Sequence, residues 1–404
     1  MEPILTLGII IFTGFVAGEL CSRIGLPKVT GYVLAGMLLN PNLSPIIPAS
    51  FVEQTGLVTS ISLAFITFSV GGTLLFPRIR ALGKPIVLIT LFEAEFAFLF
   101  VAALVIFLGP TFIEIPGATR ISFFLPLALL LGALASPTDP SATLAVEHEF
   151  QARGEVTSTI MGVAAFDDIL GIINYSLAVS VAGIFILDEP LGSNVVVHPL
   201  LKILGSIGLG ILFGLILNGL LKIIKKETES VLITVIISLL SLCYGLAGLA
   251  GADELLSTMT MGVIVVNYSY KKEKVFNILE RYTEELIFVL FFTLSAMHLD
   301  FSVMGTQALL IVLFILFRAL GKLSGTLLGG EISGAPAPVK KYAAGGLIPQ
   351  GGIVIGLALV IRQNGAFEAI SDIILNVVIG ATIIHEIIGP IISRVALKKA
   401  GEIE

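Results

Sequence analysis

The sequence predicts an all-α polytopic membrane protein: thirteen transmembrane helices in two inverted six-helix repeats, each repeat carrying one discontinuous helix. Composition, the sidedness of the basic residues and a pair of interrupted apolar runs lead there. Of 404 residues, 56% are hydrophobic and 13% charged, and the mean hydropathy is +1.04. An ordinary soluble domain is about a quarter charged. A bilayer-crossing helix takes about 20 apolar residues, so this length accommodates about a dozen crossings and no large soluble domain. A water-soluble enzyme and a nucleic-acid-binding protein are excluded on the same ground. Cys21 and Cys243 are lone cysteines in apolar runs and give neither a disulfide framework nor metal-ligand spacing. No Lys or Arg precedes the first apolar run, so Met1 to Ile11 does not resemble a cleaved signal peptide.

Apolar stretches between charged or Pro/Gly-rich punctuation place the first seven spans. They run Ile4 to Cys21, Val29 to Asn40, Gly56 to Phe76, Pro85 to Leu108, Ile121 to Glu147, Val156 to Leu187 and Pro199 to Ile224. The other six are Ser230 to Gly251, Leu255 to Tyr270, Ile278 to Leu299, Thr306 to Gly329, Val339 to Ile361 and Ala369 to Leu397. Basic residues test the count, because cytoplasmic loops collect them. Eighteen of the 23 Lys and Arg fall in loops of one side, from Arg23 and Lys28 through to Arg394, Lys398 and Lys399. Arg120, Lys202 and Arg362 face the other side, while Arg318 and Lys322 lie inside a span. The consistent topology is a multi-pass protein of the cytoplasmic membrane, its N-terminus outside and its C-terminus cytoplasmic.

Two spans carry helix breakers at mid-depth. The fifth holds Ser136-Pro137-Thr138-Asp139-Pro140-Ser141, where two prolines remove backbone donors and disfavour helix just before each. The twelfth holds Gly345-Gly346-Leu347-Ile348-Pro349-Gln350-Gly351-Gly352. Taking residues 1–404 as one membrane unit, 1–187 form the first repeat, 188–228 a linker helix and 229–404 the second repeat. Both breaks then fall in the fifth helix of their repeat, the arrangement in which transporters build ion sites. Pro137, Pro140, Pro349 and Gly351 are the residues that set the breaks. The bland alternative is a simple proline kink, but unwound backbone at membrane depth must line a cavity or be buried in protein.

The ionisable residues inside spans are the chemical candidates. Asp167 and Asp168 are adjacent in the sixth span, about 100° apart on a helix, so they face different partners. Two carboxylates so close do not both ionise cheaply without a counter-charge. Arg318 and Lys322, four apart in the eleventh span, share one helix face and offer it. Ionised Asp167 paired with Lys322, or with Arg318, leaves Asp168 to alternate between a proton and a metal ion. Asp139, in the fifth-span break, serves as a cation ligand, as neutraliser of the half-helix beginning near Ser141, or both. Glu93 and Glu95, Glu19 and Glu386 lack such context and read as interfacial or subunit-contact charges. His148, His198, His298 and His385 show no metal-site spacing.

These residues carry a resemblance over nearly the whole chain. Arg23-Ile24-Gly25-Leu26-Pro27, Gly31-Tyr32-Val33-Leu34-Ala35-Gly36, Thr138-Asp139-Pro140, Asp167-Asp168, Gly321-Lys322 and Pro349-Gln350-Gly351-Gly352 resemble the cation/proton antiporter superfamily. The match is to sodium/proton antiporters of the NapA, NhaP and Kef type, and the tandem Asp is its most specific part. The resemblance implies an NhaA-like fold, in which a core domain with crossed broken helices moves against a dimerisation domain in a homodimer. It implies Asp168 as the ion-binding carboxylate, Asp167 as partner of Lys322, and Thr138 and Asp139 as lining of the site, so that Asp168 and Asp139 hold Na+. The chain departs from NhaP-like members, which carry Asn-Asp where it has Asp167-Asp168. They also place a glutamate where it has Val163 and Ala164, and an acid in the third helix where it has Ser69, Val70 and Thr73. Kef-type relatives carry a C-terminal nucleotide-binding domain; with the chain stopping at Glu404, that gating is expected to be absent.

The resulting expectation is a sodium/proton antiporter, not an enzyme, working by electrogenic alternating access without a cofactor. Its partners are protons and monovalent cations, with lithium and potassium beside sodium, the lipid bilayer and a second copy of the chain. A potassium/proton antiporter is the rival within the class. An intramembrane aspartyl protease fails because acids adjacent on one helix diverge and do not share a water.

Overall fold

In the computed structural model the described residues are 2–24, 28–44, 46–77, 83–113, 118–139, 146, 150, 152–186, 194–224, 228–298, 301–350 and 352–403; they form helices and short connections, with no strand among them. The helices are α1 (Pro3–Arg23), α2 (Lys28–Leu38), a short α3 (Ala49–Glu53), α4 (Gly56–Gly72), α5 (Gly83–Phe112) and α6 (Leu125–Ala135), the last entered through a π turn at Arg120–Phe124. Next come α7 (Glu155–Ile186), α8 (Asn194–Ile223), α9 (Glu229–Leu249), α10 (Glu254–Tyr268), α11 (Lys272–Leu279) and α12 (Glu285–Met297). The chain ends with α13 (Phe301–Ser333), α14 (Ala337–Gly346), α15 (Gly352–Gln363) and α16 (Glu368–Ala400).

Among the described residues, seven helices are long and apolar enough to cross a membrane: Pro3–Arg23, Gly83–Phe112, Glu155–Ile186, Leu200–Ile223, Glu229–Leu249, Gln307–Ser333 and Gly365–His385. Gly56–Gly72, Arg120–Ala135 and Ile353–Gln363 are shorter apolar helices. The second predicted span coincides with α2, whose 11 residues rise only about 16 Å, roughly half the hydrocarbon thickness. The tenth predicted span begins at Ile278, but helix already starts at Lys272 and passes through a π turn at Glu280–Glu284 into α12. Periodicity of apolar residues cannot locate that start, because Lys272, Glu273 and Lys274 give the first turn a charged surface.

Local chemistry explains several ends. Asp253 caps α10, its Oδ1 accepting from Leu256 N at 2.9 Å. At the end of α16, Gly401 adopts a left-handed φ of 77°, and Glu402 N returns to Leu397 O at 3.0 Å. That turn aims the Glu402 carboxylate at the start of α7, where it accepts from Val156 N at 2.7 Å and Thr157 N at 2.8 Å. A carboxylate there satisfies two orphan donors and complements the helix dipole. The last helix thus fixes the first turn of the helix that carries Asp167 and Asp168.

The helices sort into two groups. In one, α5 lies along α13 and α6 is packed between α5 and α7, while α16 supports α13, α14 and α15. In the other, α1 packs on α2, α2 on α12, and α4 and α8 on α10. Gly321, Gly325 and Gly329 bring α13 against the backbone of α5. A Cβ added to them would stand 2.6 Å from Ala97 Cα, 2.5 Å from Glu93 Cα and 2.7 Å from Leu88 O respectively. Such a stripe of small residues lets membrane helices approach where a larger side chain would hold them apart. Gly325→Leu should separate α5 from α13 and destabilise the fold by about 1–3 kcal/mol. Gly245, with nothing within 4 Å of an added Cβ, supplies the control: in detergent, Gly325→Leu should lower the thermal unfolding midpoint and Gly245→Leu should leave it in place.

Candidate functional site

Both predicted breaks are present, and they meet. The helix of α6 ends at Ala135 and that of α14 at Gly346, so residues 136–139 and 347–350 are unwound. The peptide N–H of Asp139 donates directly to Pro349 O at 3.1 Å, and Gln350 Nε2 donates to Leu134 O at 2.7 Å. Pro140 and Gly351, expected to help set the breaks, lie outside the described residues. Opposite Pro137 stands Gly171 of α7, where any Cβ would run into the proline ring. The carboxylate-bearing helix therefore packs closely against the break.

Two helix C-termini facing each other leave several carbonyls without helical donors and bring two negative dipole ends together. Arg318 of α13, fully buried, answers both. Its Nε donates to Ala135 O at 2.9 Å, and its Nη2 to Pro137 O at 2.6 Å and Pro349 O at 3.4 Å. Its Nη1 donates to Ile348 O. Arg318, expected as a charge partner of Asp167, thus has another place: its donors go to the carbonyls of both breaks. A guanidinium presents five donors in a planar fork, which suits carbonyls converging from two chain segments.

One turn further along α13, Lys322 is also fully buried. Its ammonium donates to Glu93 Oε2 at 2.5 Å, Ser136 O at 2.6 Å, Thr138 Oγ1 at 2.8 Å and Asp167 Oδ2 at 3.0 Å. Thr138 in turn donates to Asp167 Oδ2, with Leu347 O as a second acceptor at 3.3 Å. Lys322 and Arg318 stand one helical turn apart, and both serve the fifth-span break.

Asp167 and Asp168 have separate surroundings. Asp167 is fully buried and engaged by Lys322 and Thr138. Asp168 is half-buried, and no hydrogen bond reaches its carboxylate from the described residues. The one-residue offset on α7 produces this divergence, as helical geometry requires. No group of three or more His, Cys, Asp or Glu among the described residues is placed to hold a metal ion by itself.

Glu93 corrects the sequence reading. Instead of standing at an interface, it has no exposed surface and makes the shortest contact of Lys322. Glu95, also read as interfacial, is half-buried and accepts from Asn174 Nδ2 at 3.1 Å; the same amide reaches Ser136 Oγ at 3.2 Å. The signal that could have found Glu93 is the spacing of Gly321, Gly325 and Gly329, which puts the Lys322 helix against its backbone. Glu19 pairs with Lys28 at 2.5 Å on a half-exposed surface. His148 and the side chains of His198 and Glu386 lie outside the described residues.

A cavity of about 450 Å³ opens between the two helix groups. Tyr175 and Val179 of α7 line it from one side, and Ser60, Lys202, Asp253 and Glu254 from the other. Across its buried edge, Ser176 Oγ donates to Asp253 Oδ2 at 2.8 Å. Tyr175 is two turns along α7 from Asp168, toward the end that the basic-residue pattern assigns to the outside.

A membrane bundle in which two interrupted helices cross beside buried acids and a lysine is built as a secondary transporter of small ions. The profile of the transmembrane sodium/hydrogen exchanger family matches residues 8–399. The chain belongs to that family. A Na(+)/H(+) antiporter of Enterococcus hirae is 25% identical, with 98% of each chain covered. The Na(+)/H(+)-K(+) antiporter GerN of Bacillus cereus is 23% identical over 88% of this chain and 87% of its own. Among solved structures, the sodium proton antiporter MjNhaP1 of Methanocaldococcus jannaschii at pH 8 superposes with a TM-score of 0.77 at 19% identity, covering 99% and 98% of the two chains.

The carbonyl cage around Arg318 gives a direct test. A lysine there keeps the charge but not the fork, so acceptors in both breaks lose their donors. Arg318→Lys should destabilise the protein by about 3 kcal/mol, the scale of one or two hydrogen bonds to a charged group. Thermal unfolding in detergent reads this as a fall in midpoint.

Proposed function

We propose that the protein is a sodium/proton antiporter that carries its cargo on Asp168 by alternating access. The observation that carries this reading is the division of labour between adjacent acids. Lys322 and Thr138 occupy Asp167, whereas Asp168 accepts no hydrogen bond from the described residues. An acid held at membrane depth without a fixed partner is suited to take sodium and a proton in turn. Thr138 and Asp139, in the break beside it, complete the lining, and the freed backbone supplies oxygen ligands of the kind small hard cations take.

The cavity lined by Tyr175 supports an outward-open state, because it approaches Asp168 from the outer end of α7. Alternation is then a shift of the group holding α5, α7 and α13 against the group holding α4 and α10. Thirteen crossings, with inverted repeats over 1–187 and 229–404 about a linker at 188–228, give both breaks the same place in their repeat. The same topology puts the N-terminus outside and the C-terminus in the cytoplasm, and the working unit in this reading is a homodimer in the cytoplasmic membrane. Lithium joins sodium as a candidate cargo, and the sodium and potassium in GerN's name keep potassium exchange as the second reading.

Asp168→Asn should abolish sodium-driven proton movement in proteoliposomes while leaving thermal stability near native, since it replaces a titrating ligand with a neutral isostere. Flux retained in the purified variant would refute the assignment; parallel runs with Na+, Li+ and K+ decide the cation.

Charge movement is the second test. One proton returned on Asp168 for each sodium makes a silent cycle, and a second proton drawn from the Asp167 and Lys322 cluster makes it electrogenic. Each charge moved is worth about 2.3 kcal/mol per 100 mV. Native exchange should therefore respond to a potassium diffusion potential, and Asp167→Asn combined with Lys322→Met should not. Indifference of the native protein to voltage would remove the two-proton cycle and leave antiport standing.

A further inference from the structure

Four acids stand at the crossing, Glu93, Asp139, Asp167 and Asp168, and antiport on Asp168 leaves Glu93 without a task. Glu93, Asp167 and Lys322 have no exposed surface. Lys322 divides its ammonium between Glu93 Oε2 at 2.5 Å and Asp167 Oδ2 at 3.0 Å. The outer oxygens, Glu93 Oε1 and Asp167 Oδ1, are buried and have no hydrogen-bond partner. Two carboxylates against one ammonium leave a net negative charge walled off from water, and an uncompensated buried charge costs several kcal/mol. Like carboxylates sharing one site do not both ionise. A proton held within the cluster removes the excess charge.

The surroundings say which acid is free to carry it. Asp167 receives the hydroxyl of Thr138 in addition to Lys322, and each donor favours its ionised form. Among the described residues, Glu93 accepts a hydrogen bond from Lys322 alone. From α13 it faces Lys322, with Arg318 one turn away committed to carbonyls. Across Lys322 it faces Asp167 of α7, with Asp168 next along that helix, and the α6 break carries Asp139. On its own helix Glu95 points to Asn174, and α16 carries the buried His385.

We propose that Glu93 is a proton-binding residue of the exchange cycle, a second counter-ion of Lys322 that holds a proton without sodium and releases it as sodium binds. The inference rests on the antiport reading. Sodium takes the place of the proton on Asp168, which leaves that position neutral. Loss of the Glu93 proton as well leaves one negative charge shared by Glu93 and Asp167 across Lys322, so one sodium enters for two protons and the cycle carries charge. The O–H bond of Glu93 breaks, its proton leaves to water on the open side, and the carboxylate becomes a full partner of Lys322. Release of sodium reverses each step.

The test uses full-length protein in proteoliposomes and in infrared difference spectra recorded with and without sodium. Glu93→Gln removes a negative charge from the cluster, so the remaining acids hold protons less firmly. The pH midpoint of exchange should move toward acid by about one unit, a tenfold change in proton affinity. Glu93→Asp retains the acid and should keep a near-native midpoint. A permanently ionised Glu93 that only braces Lys322 would also shift the midpoint in Glu93→Gln, and it is told apart by the carboxyl spectrum, where it contributes no sodium-sensitive protonated band. In native protein, labelling glutamate with carbon-13 should shift part of the sodium-sensitive band of protonated carboxyl groups, and this arm holds even where Glu93→Gln does not fold. An unshifted midpoint in a folded, active Glu93→Gln variant overturns the proposal, as does a sodium-sensitive band untouched by glutamate labelling. Absence of sodium-dependent proton flux in the native protein would overturn the antiport reading and this inference with it.

Discussion

The structure depends on one requirement of the bilayer interior: a backbone carbonyl freed from its helix must find a donor inside the protein. Two helices stop at mid-depth, with their carbonyl ends converging near Ala135 and Gly346. In a membrane span that donor has to come largely from the protein itself. Arg318 supplies it from a single side chain, with donors directed to both segments. Lys322 supplies the rest at Ser136. Every other element of the site follows from having to bring these two cations to that point. The glycine stripe lets α13 close on α5, Gly171 lets α7 close on Pro137, and Glu402 holds the first turn of α7 in register.

Importing two cations creates a second requirement, since each needs compensation in a dry interior. Arg318 obtains it from carbonyl dipoles and Lys322 from carboxylates. Buried ion pairs seldom add net stability, because the cost of desolvation offsets their attraction. Their retention here therefore points to work that an apolar core could not do. The geometry separates that work between neighbours on one helix turn. Asp167 belongs to the electrostatic framework, together with Glu93 and Thr138, while Asp168 stands outside that framework and is left available.

Much of this was readable in the residue order. Pro137 and Pro349, with their flanking glycines and small residues, announce interrupted helices because proline's effect is local and independent of tertiary context. The tandem acids were equally visible, since charge inside an apolar run needs no structure to detect. Contacts between distant segments were less legible. Glu93 reads as one of two acids in the apolar run that begins at Pro85, and only the approach of α13 distinguishes it from Glu95. Arg318 and Lys322 share a helix face, so both could be placed near Asp167 by spacing, but spacing does not say which one the carbonyls would claim. Helix limits failed where charge and helix coexist, as at Lys272, because hydropathy measures burial in lipid and not backbone conformation.

The contact between Arg318 and Pro137 joins residues 181 positions apart, and this has a consequence for how the molecule is made. A chain emerging from the ribosome delivers its N-terminal half first. Until α13 is synthesised, the α6 break, Glu93 and Asp167 sit in or near the bilayer with neither of their cations. The nascent first half is thus an incomplete solvent for its own polar groups, and it must shelter them by delaying full insertion or by borrowing partners from the insertion machinery. The arrival of α13 is then the committing event of biogenesis, the moment at which a loose set of inserted segments acquires one centre.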